Sequence, residues 1–191
     1  MQTEVPYLCH PLAVGSIVME AGGTPSEIVA GLLHDTAEDV KQPGVSGEDV
    51  LRHIEARYGA QAAHIVRACS DTLPTGEGGS KPPWRRRKET YLEHLRTCDA
   101  PTLLVSAADK LHNLRSTLAD WHTIGDAVFD RFNTGEGHTR EQRRTETLWY
   151  YRALLEVYVD SRAAPDDRRD RITRELAAIL TEFDRGASTA K

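Results

Sequence analysis

Apolar positions along the chain recur at three- and four-residue spacing almost throughout, and no stretch alternates as a strand does. The pattern predicts a succession of helices. The first spans about Pro11 to Ala21 and stops at Gly22-Gly23. The second begins after Thr24: Pro25 suits the first helical position, and T-x-x-E at Thr24 and Glu27 forms a capping box. Its periodicity carries it to about Val40, short of the breaker pair Pro43-Gly44. Ser46 opens a third helix to about Tyr58, and Gly59 separates a fourth, about Ala60 to Ser70. Asp71 to Pro83, "DTLPTGEGGSKPP", is a loop by composition. Helices follow over about Trp84–Thr97 and Pro101–Trp121, with a short one over Gly125–Phe132. T-x-x-Q at Thr139 and Gln142 starts a long helix to about Asp160, and a charged helical segment runs from Pro165 to Arg185. These elements predict an all-α fold: a single domain over residues 1–160, then a charged carboxy-terminal helical tail over 161–191.

Composition narrows the partners. With 191 residues, 39% hydrophobic and 28% charged, the chain can build one domain around a core. A formal net charge of -5 argues against a nucleic-acid partner but leaves room for a phosphorylated small molecule. The cysteines Cys9, Cys69 and Cys98 are odd in number, scattered and without a CxxC pair, which points to a reducing compartment. No signal pattern opens the chain, and no apolar run is long enough to span a bilayer. The expectation is a soluble cytoplasmic protein with no membrane partner.

Against this background "GLLHDTAEDV", Gly31 to Val40, stands out: four ionisable side chains in a segment otherwise built for burial. On a helical wheel His34, Asp35, Glu38 and Asp39 share one side, while Val29, Leu33, Ala37 and Val40 share the other. Gly31 falls inside the ionisable patch, where a missing side chain would admit a ligand. One reading is a solvated face. The other is a metal site, because crowded carboxylates repel unless a cation neutralises them, and no lysine occurs in the helix before Lys41. Further ligands would then come from other helices. "LLVSAADKLHNL" offers Asp109 and Asn113 one turn apart, facing away from Leu104, Leu111 and Leu118, although alone Asp109 serves equally well as a cap or salt-bridge partner. "PYLCHPL" offers His10, just outside the first helix. The remaining histidines, His53, His64, His94, His112, His122 and His138, read as surface or packing residues.

"PYLCHPLAV", "AGLLHDTAED" and "SAADKLHNL", in this order and spacing, resemble the HD-domain hydrolases of the RelA/SpoT type, including their small stand-alone members. The likeness runs from about Val5 to Leu118 and more weakly to Tyr158. It implies an all-α HD-domain bundle and one divalent ion, usually manganese, held at the positions matched by His10, His34, Asp35 and Asp109. It also implies that Glu38 and Asp39 handle the attacking water and that Asn113 contacts the substrate. The implied reaction is metal-dependent hydrolysis: removal of the 3′-pyrophosphate from the nucleotide (p)ppGpp. A phosphatase of another nucleotide such as NADPH, and a non-catalytic nucleotide-binding module, are the competing readings.

Relatives also carry a basic helix near the substrate phosphates, matched here by "KPPWRRRKETY" with Lys81, Arg85, Arg87 and Lys88; a solvated charged face is the equal alternative. Tyr150, in "LWYYRALLEVY", is the aromatic chosen as a substrate contact, although aromatics on such a helix are more often core. The family's helix before the first histidine motif, with its basic nucleotide contact, is expected to be missing, since Met1 stands nine residues before His10.

Overall fold

The computed structural model of the chain describes residues 5–70, 82–160 and 166–189. Eight α-helices are among them: α1 (Cys9–Glu20), α2 (Pro25–Leu33), α3 (Gly47–Tyr58), α4 (Ala60–Cys69), α5 (Trp84–Leu95), α6 (Ala100–Ile124), α7 (Arg140–Val159) and α8 (Asp170–Thr189). Short 3₁₀ helices at Gly125–Arg131 and Asp167–Arg169 lead out of α6 and into α8. No strand occurs among the described residues, so the all-α expectation holds. None of the helices is long and apolar enough to cross a membrane. Lys81, with most of the expected loop, lies outside the described residues.

The bundle is organised around α6. Every residue from Thr102 to Asp109 is buried, including both faces of the helix, as a central element requires. Helices α1, α2 and α4 pack on it, as do α7 and α8. Its polar residues at the centre are paired: the Ser106 hydroxyl sits between the Tyr91 and Tyr158 hydroxyls at 3.1 and 2.8 Å, joining α5, α6 and α7.

Local signals place the helix starts. Thr24 and Glu27 form the capping box at α2, Ser46 and Asp49 form one at α3, and Thr139 and Gln142 form one at α7. Asp99 caps α6, accepting from the Thr102 N–H.

The end of α2 corrects the sequence reading. The helix stops at Leu33 rather than near Val40, and His34 to Asp39 form a string of turns. Thr36 explains the break: its N–H and its hydroxyl both donate to the Leu33 carbonyl, at 2.9 and 2.6 Å, claiming an acceptor the next helical turn would use. The assignment of faces also changes. Glu27, Ala30, Gly31 and His34 are buried, whereas Val29 and Leu33 are half-buried. His34 therefore turns into the core, while Asp35 and Glu38 are half-buried and Asp39 is exposed.

Gly31 has a structural task instead of the expected ligand-facing one. A Cβ there would lie 3.5 Å from the Gly15 Cα and 3.4 Å from Val18 Cγ2, so two glycines let α1 and α2 approach closely.

The charged segment from Asp166 into α8 is part of the bundle. Ile172, Leu176, Ile179, Leu180 and Phe183 of α8 are buried in the same core as α6 and α7. Phe183 packs between Trp121 and Phe129, with ring centroids 5.3 and 5.9 Å away. Glu27, at the start of α2, is also buried and accepts both guanidinium nitrogens of Arg168, at 2.9 and 3.1 Å.

Candidate functional site

Three separated segments converge beside α6. His10 comes from the first turn of α1, His34 and Asp35 from the end of α2, and Asp109 from the middle of α6. Ligand atoms of His10, His34 and Asp109 all lie within 4.8 Å of one another. The two Nε2 atoms of the histidines are 3.1 Å apart. Asp109 Oδ1 stands 3.3 Å from His10 Nε2 and 3.6 Å from His34 Nε2. Asp35 adjoins this trio, its Oδ1 3.2 Å from His34 Nε2 and its Oδ2 3.6 Å from His10 Nε2. The four residues predicted as ligands are thus brought together.

The surroundings turn these atoms inward. His34 Nδ1 lies 2.8 Å from the Gly31 carbonyl, which can only accept, so Nδ1 carries a proton and Nε2 points to the centre of the group. His10 Nδ1 lies 2.8 Å from His112 Nδ1, which leaves His10 Nε2 for the same point. Tyr7 donates to Asp35 Oδ2 at 2.7 Å. Lys110 and Asn113 donate to Asp109, each at 2.5 Å. Two imidazoles and two carboxylates, each oriented by an outer partner, are the donor chemistry of a divalent transition-metal site.

The electrostatics agree. Burial alone would push the His34 pKa down; the Asp109 and Asp35 carboxylates outweigh it and raise it to about 10. Burial pushes Asp109 up, yet Lys110, His10 and His34 hold it well below the usual carboxylate range. Lys110 is raised well above its ordinary value despite its own burial, because of Asp109. Burial and hydrogen bonding to Asp35 raise the Tyr7 phenol. Each ion is stabilised by its neighbours, so the group exerts a strong local field.

A cleft of about 590 Å³ opens from this group. His10 and Asp35 stand on its wall, followed along α6 by Lys110, His112, Asn113, Ser116 and Thr117. Among the residues predicted to meet substrate, Asn113, Lys88 and Tyr150 line the cleft, and Lys88 Nζ lies 5.0 Å from the centre of the Tyr150 ring. Arg85 and Arg87 do not line it. Arg85 stacks 3.2 Å from the Trp149 ring centre and pairs with Glu89 and Glu146, while Arg87 donates to the Pro82 carbonyl at 3.3 Å. Glu38 and Asp39 follow the ligand pair after α2, half-buried and exposed respectively, and neither lines the cleft.

Sequence reasoning missed His112, which it treated as a surface or packing residue. Its place three residues after Asp109 on one helix was the available signal. Arg131, Phe132 and Thr147 also line the cleft, and nothing in their local sequence indicates it.

A family model described as HD domain matches residues 1–128, two thirds of the chain. The chain belongs to the HD-domain family. Within it, this HD-domain chain is 36% identical over 116 residues to a guanosine-3′,5′-bis(diphosphate) 3′-pyrophosphohydrolase, MESH1, of Xenopus tropicalis, a match covering 59% of this chain and 56% of that one. The corresponding protein of Danio rerio is 35% identical over 114 residues, 58% and 54% of the two chains. The match therefore spans little more than half the length of these curated relatives. It is also 32% identical over 113 residues to a GTP pyrophosphokinase of Streptomyces coelicolor, covering 12% of that protein. A solved structure from Listeria monocytogenes superposes with a TM-score of 0.69 at 25% identity, covering 91% of this chain and 97% of the other. A metazoan ortholog of SpoT, described as hydrolysing ppGpp, has a TM-score of 0.65 at 22% identity over 95% and 84% of the two chains, a likeness of fold.

Proposed function

We propose that this HD-domain chain is a metal-dependent phosphohydrolase that removes the 3′-pyrophosphate from (p)ppGpp with water, releasing GDP or GTP. The observation that carries the reading is the convergence of His10, His34, Asp35 and Asp109 beside a cleft whose other charged lining residues are cationic. His10, His34, Asp35 and Asp109 would hold one divalent ion, and their mixed nitrogen and oxygen donors suit manganese. When bound, that ion supplies a Lewis acid that acidifies water and offsets charge on a phosphoryl group.

The chain's own residues do the rest. Glu38 and Asp39, on the turns beyond Asp35, orient the attacking water and accept its proton. Lys110 and Lys88 face the cleft as cations for the substrate's phosphates. Asn113 offers an amide at the boundary between the ligand group and the cleft wall. Tyr150 and Trp84, whose rings meet edge to face 5.9 Å apart, give an apolar surface to the nucleoside.

Support also comes from the vertebrate relatives, whose names state this reaction. The test is incubation of manganese-loaded protein with ppGpp, NADPH and simple nucleotides, followed by product analysis. Pyrophosphate released from ppGpp alone is expected. Phosphate from NADPH alone would redirect the reading to another nucleotide, and binding of ppGpp without any product, unchanged in Glu38→Gln, would sink the enzymatic reading.

A further inference from the structure

The cleft continues well past the ligand group, and its far part is built as carefully as its mouth. Along α6 its wall passes from Asn113 to Ser116 and Thr117. Thr117 lies eight residues beyond Asp109, which at 1.5 Å per residue is about 12 Å along the helix axis. There the Thr117 hydroxyl donates to the Asn113 carbonyl at 2.8 Å and accepts from Arg131 at 2.8 Å. A second guanidinium nitrogen of Arg131 donates to Asp120 at 2.6 Å, and its head stands 5.1 Å from the Phe132 ring centre. The guanidinium is thus fixed by three neighbours while it lines the cleft. These two bonds use two of its five N–H groups.

A second observation points to a ligand at this end. Thr147 lines the same cleft, and its hydroxyl is buried and has no hydrogen-bond partner. A buried hydroxyl left without a partner is costly, and a ligand group would satisfy it. Thr147 stands one turn before Tyr151 on α7, and Tyr151 lines the same cleft as Lys110 and Arg131. The charge of the lining agrees: apart from Asp35, the charged residues there are the cations Lys88, Lys110 and Arg131.

We infer that Arg131, held by Thr117 and Asp120 and assisted by Thr147, receives a second anionic group of the substrate, some two helical turns from the group being hydrolysed. The inference rests on the phosphohydrolase reading for what happens at the ligand group. It assigns the two phosphorylated ends of that substrate to separate places: one to the ligand group and the other to Arg131. A pre-oriented guanidinium recognises such an oxyanion through parallel N–H donors, which a lysine cannot reproduce.

The test compares ppGpp with guanosine 3′-diphosphate carrying a free 5′-hydroxyl. The two share the reacting group and differ only in the distal phosphates. Manganese-loaded wild type should show the lower KM for ppGpp. Arg131→Gln should raise KM for ppGpp about tenfold or more, with kcat nearly unchanged, and leave KM for the 5′-hydroxyl compound within twofold. Arg131→Lys should fall between, and Thr147→Val should shift KM for ppGpp in the same sense. Circular dichroism and melting of each variant separate these effects from loss of fold. Equal losses on both nucleotides, or no loss on either, would overturn the assignment. If wild type turns over neither, dissociation constants of the same pairs decide it: a preference for ppGpp that Arg131→Gln abolishes keeps Arg131 in its role while the hydrolase reading fails. Absence of such a preference overturns both.

Discussion

His112 shows how much one side chain outside the ligand group can control. His10 presents Nε2 to the other ligand atoms only if its ring is held, and His112 Nδ1, at 2.8 Å from His10 Nδ1, is the group positioned to hold it. Outer partners of this kind commonly change metal affinity by about 10–100-fold. His112→Phe should therefore weaken manganese binding by at least about tenfold. His112→Asn, whose amide oxygen can accept from His10, should retain most of the affinity. Calorimetric titration with the metal alone measures both, and equal affinities in wild type and the phenylalanine variant would remove His112 from this role. The four candidate ligands were legible in the sequence because each sits in a short motif. The task of His112 was not, because it depends on a residue 102 positions away.

At the scale of single elements, α1 and α2 pack closely across Gly15 and Gly31. Gly31 permits it, and its carbonyl also holds the His34 ring. A methyl at Gly31 would meet Val18 and Gly15 at 3.4–3.5 Å, ordinary contact distances. Gly31→Ala should therefore leave the melting temperature within a few degrees of wild type, since the gain in helix propensity of about 1 kcal/mol offsets slight crowding. Gly31→Leu has no such room and should lower it sharply, with metal affinity falling as α2 is displaced. Thermal melts of both variants give the answer, and a leucine variant as stable as wild type would contradict close packing here. The start of α2 was readable in Thr24, Pro25 and Glu27, which act within one turn. Its end was not, because apolar spacing continues to Val40 while the Thr36 hydroxyl competes for the Leu33 carbonyl.

Across the whole molecule, Glu27 ties the first helices to the last. It is buried, and the Arg168 it binds lies 141 positions away, just ahead of α8. Burial pushes the Glu27 pKa up, but the hydrogen bonds from Arg168 and Thr24 outweigh it and hold it below its ordinary value of 4.5. The folded state therefore binds this proton less readily than the unfolded chain. The stabilisation is complete above about pH 4.5 and is lost as pH falls through the lowered folded value. Glu27→Gln should reduce stability at pH 7 by about 2 kcal/mol, less than for a fully buried pair because Arg168 is partly exposed. Denaturant unfolding at pH 7 and pH 3 should show the gap from wild type closing at the lower value; an undiminished gap would mean that the charge on Glu27 is not what ties the ends together.

The sequence by itself determined the helical class, most helix starts, the four candidate metal ligands and the family. All of these rest on periodicity, capping or short motifs, which act over a few residues. Tertiary structure alone decided that His34 turns into the core, that Arg85 and Arg87 stand outside the cleft, and that α8 completes the core. It also decided that His112, Arg131 and Thr147 line one cleft. Those outcomes depend on contacts between residues far apart in the chain, and no local pattern encodes which distant side chain will be the neighbour.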